Sequence, residues 1–395
     1  MVSEHPAMDY TRGGAILGLT VLHYIVGSIF FDVVHWLAHQ KSRNKFVRWL
    51  SRTHSAHHQY FNRNLKFNSK FRYANLISHM PLEFACQTIG SACSWLMTRR
   101  FYPTAAYDLL LVTMVQVIRT AVVAWNLGYD SNHIPYKTLP KDKNNIIVGP
   151  EYHVLHHIDP QNYFGSMVRV IDLFFGTATT LKGRRVAMTG SSGALGTALA
   201  NALQKEQVAS VRALRHGFEW SQDDYSALSD ILAETDILIL CHGTKDPETA
   251  ASVNCSSAVA IIELFKQARV CSKPELIPEV WYVGSEAELH GALPGDKVMQ
   301  AYTASKRAFV PFARAYYDDK TILYRHIVAA AFKSRMGSAI VGADWAAKVA
   351  IWWIRRGAQY VPVTYTGLAF VNYLRFMYRE TPEFASSAVA SAASH

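Results

Sequence analysis

Apolar positions along the chain fall into two regimes. In the first 125 residues they run together. The stretch 13–34, GGAILGLTVLHYIVGSIFFDVV, is interrupted only by His23 and Asp32 as strongly polar residues. About 20 residues of helix cross a bilayer, so this run predicts a span. Residues 104–125, TAAYDLLLVTMVQVIRTAVVAW, predict a second span, broken by Asp108 and Arg119. Between them, 84–97 (FACQTIGSACSWLM) is short for a crossing and reads as a re-entrant or hairpin-paired segment.

The second regime begins around 176–185, GTATTLKGRR, whose Gly176, Gly183 and basic triplet read as a linker. RRVAMTG then opens a strand, turn and helix, and VASVRAL, DILILCHG, VWYVGS and LYRHIVAA follow as further short strands between helical stretches. Such alternation predicts a parallel sheet covered by helices. Beyond 340, GADWAAKVAIWWIRRG and YTGLAFVNYLRFMYRE read as amphipathic helices, for packing or for a membrane surface, before a short Ala/Ser tail at 385–394. The expected organisation is a helical membrane domain over 1–181, an α/β Rossmann-like domain over 182–342 and a helical tail over 343–395.

Composition supports that division. Half of the 395 residues are hydrophobic and only 18% are charged, more apolar matter than one soluble core requires. The net charge of +10 is concentrated at Lys41, Arg43, Lys45, Arg48, Arg52, Arg63, Lys66, Lys70 and Arg72. Beside a span, such a cluster marks a cytoplasmic end rather than a nucleic-acid surface. Arg99 and Arg100 would lie on the other side if all three segments cross. The five cysteines (Cys86, Cys93, Cys241, Cys255, Cys271) show no CxxC spacing and read as packing residues in a reducing compartment. No cleavable signal pattern opens the chain.

The chemistry is concentrated in histidine. HWLAH places His35 and His39 four apart; HSAHH gives His54, His57 and His58; HVLHH gives His153, His156 and His157. Helical residues three and four apart share a face, so each set points one way. Eight imidazoles without cysteine exceed the four ligands of a structural zinc and suffice for two ions. Imidazole suits iron, copper, nickel and zinc alike. His5 and His79 stand alone and read as ordinary surface or core residues, and His23 is left open.

These boxes resemble those of the fatty acid hydroxylase/sterol desaturase superfamily of membrane enzymes. So does the continuation HHIDPQNYFGSMVRVIDLFFGT, which carries Asn162, Tyr163, Gly165, Asp172, Gly176 and Thr177. Over roughly 10–180 the resemblance implies two non-haem irons that activate dioxygen to hydroxylate or desaturate an unactivated C–H bond. It also implies further histidines between boxes two and three. His133, in DSNHIPY, is the one at a suitable distance and becomes the ninth implied ligand.

In the second half, TGSSGALG (189–196) follows a strand and opens a helix. Gly190, Ser191, Gly193 and Gly196 form the turn that a dinucleotide's pyrophosphate requires. YTASK sets Tyr302 and Lys306 on one helix face, where the lysine is expected to lower the tyrosine pKa for acid–base work on a carbonyl/alcohol pair. Ser285 ends a strand nearby, and Asn254 could hold the lysine through water. Over 184–340 this half resembles the short-chain dehydrogenase/reductase family. The tetrad carried over is Asn254, Ser285, Tyr302 and Lys306, and Gly243 of CHG matches the family's Asn-Ala-Gly-like element. Arg215 closes the second strand, where an acidic residue would favour NAD; a base there suggests the 2′-phosphate of NADP(H), or is simply a solvated arginine. Ala329 and Ala330 depart from the family's Pro-Gly, and Ser334 stands where threonine is usual.

The expected function is therefore a bifunctional integral-membrane oxidoreductase with its catalytic domains on the cytoplasmic side. It would draw a fatty acyl, sterol, carotenoid or wax-aldehyde lipid from the bilayer. A hydride carrier supplies electron pairs, whereas a di-iron centre takes single electrons, so a ferredoxin-like or cytochrome-like donor is expected. Two alternatives stand beside it: a hydroxylase with a non-catalytic nucleotide-binding regulatory domain, and a zinc-dependent lipid hydrolase or isomerase.

Overall fold

The computed structural model describes residues 10–102, 106–269 and 275–385. Cys271, His5 and most of the Ala/Ser tail lie outside them. The chain divides into two compact units. One holds the residues up to Lys137 with Asp142–Ala178; the other holds Thr138–Lys141 with everything from Thr179.

The first unit is helical. α1 (Tyr10–Ala38) is followed by α2 (Lys45–Tyr60), the single turn α3 (Arg72–Ala74), α4 (Met80–Thr98), α5 (Ala106–Trp125), α6 (Pro150–Ile158) and α7 (Val170–Phe175). The segment at 84–97 is thus no hairpin but the body of a continuous 19-residue helix. Its polar residues depress its hydropathy, and they are its inward face: Gln87, Ser91 and Ser94 are buried. α4 packs along α1 through Gly27 and Gly90. A Cβ on Gly90 would stand 2.9 Å from Gly27 Cα, and one on Gly27 would meet Gln87 O at 2.5 Å. Small residues let backbones approach this closely in an apolar medium.

The polar interruptions of the spans are bundle glue. His23 pairs with Asp108 at 3.1 Å and with Ser94 at 2.8 Å, and Ser91 donates to His23 O at 2.9 Å. Arg119 donates to Glu83 at 2.7 Å. Ionisable groups at membrane depth face such partners rather than lipid. Outward, Leu17, Val21, Leu110, Leu111, Val117 and Ile118 are exposed. Only 22% of α1's apolar stretch and 17% of α5's is buried, which is too little for core helices of a soluble protein. These contacts run His23 to Ser94 and Gly27 to Gly90, so α4 is antiparallel to α1, and Arg99 lies at the end of the bundle away from the histidine boxes.

The second unit is a six-stranded parallel sheet in the order β2-β1-β3-β4-β5-β6. Its elements are β1 (Arg185–Thr189), α8 (Ala194–Lys205), β2 (Ser210–Leu214), α9 (Leu228–Ala233), β3 (Ile237–Leu240), α10 (Ser257–Ala268), β4 (Glu279–Ser285), α11 (Ala287–His290), α12 (Lys297–Asp318), β5 (Leu323–Ala329), α13 (Ala343–Arg355), β6 (Tyr360–Val363) and α14 (Leu368–Tyr378). The central strands β3, β4 and β5 are buried on both faces, as a helix-covered parallel sheet demands. One core cluster centres on α10 and α12, the other on α8 and α13. The strand order reverses on either side of β1, and in such sheets ligands bind beyond the carboxyl ends of the strands at that point.

The expected helical tail from 343 is corrected here. α13 packs on α8 within the second core, and Tyr360–Val363 adds a sixth strand whose Val361 is in register with Ile327. The four-residue strand YVPV carries too short an alternation to be read between two amphipathic helices.

Candidate functional sites

The structure gathers the nine singled-out histidines into two sets. His35, His39, His54, His58 and His156 form one; His57, His133, His153 and His157 form the other, with ligand atoms within 4.8 Å of one another in each. Each set mixes residues from separate elements. α1 supplies His35, α2 supplies His54, His57 and His58, and α6 supplies His153, His156 and His157. On α2, His54 and His58 face the first set while His57, a hundred degrees round the helix, faces the second. α6 splits likewise.

In the first set, His156 Nε2 lies 2.9 Å from His35 Nε2, 3.2 Å from His39 Nε2 and 3.1 Å from His58 Nε2. His54 Nε2 lies 3.0 Å from His58 Nε2. In the second, His133 Nε2 stands 3.0 Å from His57 Nε2, 3.2 Å from His157 Nε2 and 3.1 Å from His153 Nε2.

Hydrogen bonds cannot satisfy these contacts. His156 Nδ1 donates to Asn162 O at 2.8 Å and His35 Nδ1 to Phe164 O at 3.2 Å, so each Nδ1 carries the proton. A neutral imidazole has one N–H, so both Nε2 atoms are bare lone pairs facing each other. His133 Nδ1 is fixed in the same way by Asp130 at 2.7 Å, and His57 Nδ1 by Asn75 Oδ1 at 3.2 Å. Protonation is opposed as well. Burial holds His54, His57, His58, His156 and His157 well below the ordinary imidazole range, His39 down to about 4 and His153 to about 3. Converging, unprotonated nitrogens with oriented Nδ1–H groups are the donor set of a soft-to-borderline cation, and the carbonyl and carboxylate partners are the outer shell such ligands require.

The Asn-Tyr-Gly and Gly-Thr elements build that outer shell. Asp172 accepts from Phe164 N at 2.9 Å, Gly165 N at 2.7 Å, Tyr152 Oη at 2.9 Å and Thr177 Oγ1 at 2.6 Å. It thereby shapes the 162–165 loop whose carbonyls orient His35 and His156. Asp32 in α1 binds Ser166 N at 3.1 Å, tying the same loop to the span.

Sequence reasoning passed over His79. It is buried, stacked on His57 at 4.2 Å, with its Nδ1 3.3 Å from His54 Nδ1. A single histidine among apolar residues carries no spacing signal, so nothing in the sequence marked it. Asp130, three residues before His133, was missed for the same reason.

In the second unit the glycine turn closes tightly. Gly190 has φ +65°, and a Cβ on it would meet Cys241 C and His242 N at 2.6 Å; one on Gly196 would collide with Gly190 O. Gly193 caps α8, and Ser191 O accepts Thr197 Oγ1 at 3.1 Å. Gly243 passes against Asn254, whose Oδ1 would lie 2.9 Å from an added Cβ.

The tetrad residues stand together at the carboxyl ends of β3 and β4. Asn254 sits in a π turn, bonded to Thr244 N at 2.9 Å, Thr244 O at 2.9 Å and Ser305 Oγ at 2.8 Å. Lys306 is buried, donating to Val283 O at 2.9 Å and Tyr282 Oη at 3.2 Å. Burial pushes its ammonium down to about 8. The expected lowering of Tyr302 is not found. Burial raises its phenol, a hydrogen bond with Ser285 pulls the other way, and Lys306 is directed elsewhere. Glu288, also unforeseen, backs the site. It accepts from Ser285 N at 2.9 Å and His326 Nε2 at 3.0 Å.

Arg215 does not reach inward. It is exposed, bonded to Glu219 at 2.9 Å and stacked over Phe218 at 4.8 Å.

Comparison with known proteins covers both units. Residues 20–177 match the family described as Fatty acid hydroxylase. A curated relative, the monoglucosyldiacylglycerol epimerase of Synechocystis sp. (strain ATCC 27184 / PCC 6803 / Kazusa), is 26% identical over 411 positions, spanning 93% of this chain and 95% of its own. Among solved structures, a short-chain dehydrogenase from Burkholderia cenocepacia J2315 in complex with NADP has TM-score 0.41 and 16% identity. It covers 51% of this chain and 95% of its own. A short-chain dehydrogenase from Sphingobium yanoikuyae in complex with NADPH has TM-score 0.38 and 15% identity, over 52% and 99%. The stretch from residue 20 to residue 177 thus matches the fatty acid hydroxylase family, and it is joined in one chain to a parallel-sheet Rossmann-like unit.

Proposed function

We propose that the chain is a lipid-modifying membrane oxidoreductase with two redox centres. The observation that carries the proposal is the pair of imidazole sets whose Nε2 atoms face each other, with the Nδ1 protons of His35, His57, His133 and His156 already committed. His35, His39, His54, His58 and His156 would hold one metal, and His57, His133, His153 and His157 another, both taken to be iron. When bound, the two irons supply dioxygen chemistry that adds oxygen to a C–H bond or removes two hydrogens. Nitrogen-only ligands leave the cations' charge uncompensated, which favours binding of reduced oxygen. A one-electron donor of ferredoxin or cytochrome type would reduce them, from the side marked by the basic cluster and taken as cytoplasmic.

In the Rossmann-like unit, Gly190, Ser191, Gly193 and Gly196 would cradle the pyrophosphate of NADP(H), which supplies or accepts hydride. Gly243 keeps the wall beside it low, and Arg215 would have to leave Glu219 to meet a 2′-phosphate. Tyr302 would hold the proton of the reacting hydroxyl, Ser285 would bond the same oxygen, and Asn254 and Lys306 would position both.

The test is a purified full chain in lipid nanodiscs, reconstituted with iron, reductant and dioxygen and followed by lipid mass spectrometry. Gain of one oxygen or loss of two hydrogens is expected; unchanged lipid mass together with no bound redox metal overturns the proposal.

One observation favours a second reading. The relative matched along nearly the whole chain is named for epimerising a glycolipid. Epimerisation at a carbinol carbon needs an alcohol oxidised and a ketone reduced on its opposite face, chemistry suited to Tyr302 and Ser285. Its product would show inverted configuration at unchanged mass, with bound redox metal or without.

A further inference from the structure

Both histidine sets border a cavity of about 200 Å³ inside the helical unit. That volume equals on the order of seven waters, and it falls below the roughly 300–1,000 Å³ of pockets for drug-sized ligands. One sugar ring fits such a space.

The wall is polar where a membrane enzyme's tunnel for hydrocarbon would be apolar. Beside the imidazoles it presents Tyr24, Glu83, Gln87, Arg119, Asp130 and Asn132, against only Phe31, Val148 and Met167 as fully apolar side chains. Tyr24 comes from α1, Glu83 and Gln87 from α4 and Arg119 from α5, so each spanning helix turns polar residues towards this space. An acyl chain seated here would strip water from these groups and return no hydrogen bond. A hydroxyl-rich guest would return them.

The charges on the wall narrow the guest further. Arg119 is the one Lys or Arg among the lining residues, and Glu83 engages it at 2.7 Å. Asp130 is engaged by His133 at 2.7 Å. Among the described residues the lining therefore presents no free cation to a phosphate or a carboxylate.

We infer that the group admitted to the histidine centre is an uncharged, hydroxyl-rich headgroup of one sugar ring, not the hydrocarbon of a fatty acid. The inference rests on the proposal that a lipid is the substrate of this centre, and it names which end of that lipid enters. The acyl chains remain outside, along the exposed apolar faces of α1 and α5.

Calorimetric titration of the full chain in nanodiscs tests this, metal-free and cobalt-loaded, with methyl glucoside and methyl galactoside as probes. Octanoate and phosphocholine serve as competitors. Saturable binding of a glycoside is expected, weakened at least threefold by Glu83→Gln and by the milder Tyr24→Phe, with neither competitor displacing it. Octanoate binding in place of the glycoside, or no glycoside binding, overturns the inference. Failure to bind cobalt while the glycoside still binds would instead sink the metal proposal and leave the inference standing.

Discussion

The two units bury polar groups on opposite terms. In the sheet unit the buried polar side chains of the tetrad region are bonded by protein: Asn254 by Thr244 and Ser305, Lys306 by Val283 and Tyr282, Glu288 by Ser285 and His326. In the helical unit the Nδ1 atoms of His35, His57, His133 and His156 are bonded as well, while the inner Nε2 atoms are left in excess and face each other. A hydrogen-bonded network is complete before its ligand arrives; a nest of bare lone pairs is not. That contrast assigns different jobs to ligands in the two places. One unit is organised to position a guest, the other to be completed by a cation.

The largest effect should come from removing one imidazole of the first set. His156→Ala takes away the nitrogen that contacts three others, so metal measured by mass spectrometry on the purified chain should drop from two ions towards one. Thermal stability should become less sensitive to chelators. An unchanged metal content would erase the contrast between the units.

Next in size is Tyr302→Phe. Loss of a positioned acid–base group typically lowers the rate by about 10²–10⁴-fold, and here it should do so with nucleotide affinity nearly unchanged, because the phenol is remote from the glycine turn's backbone donors. A variant with full turnover would mean that the sheet unit senses nucleotide without reacting.

The smallest effect is one of pH. Burial holds His39 near 4 and His153 near 3, below the ordinary imidazole value near 6.5. The unfolded chain then binds more protons across that interval, so stability is fully present above about 6.5 and is lost as pH falls towards 4. Chemical denaturation of the metal-free chain in nanodiscs should show this slope. The loaded chain should keep its stability to lower pH, because bound metal opposes protonation.

Much of this was legible in the sequence, and the pattern of misses has a physical basis. The three boxes were visible because helix geometry forces ligands on one face into short, repeated spacings. The strands were visible because burial on both faces writes them as apolar runs. His79, Asp130 and Glu288 act singly and leave no periodic trace. α4 was underread because a helix lining a polar cavity must dilute its own hydropathy. The direction of the Tyr302 shift was misjudged because spacing reports that two residues share a helix face, not where the lysine's ammonium turns.

The last strand has a consequence for how the protein behaves among its own copies. His326 N bonds to Gln359 O and Ala330 N to Val363 O, so the odd-numbered residues of β6 pair inward and Pro362 turns its nitrogen to the open flank. A proline there has no hydrogen to offer a seventh strand. At its β6 edge the sheet is closed to edge-to-edge growth by one residue, a safeguard against self-association along that flank.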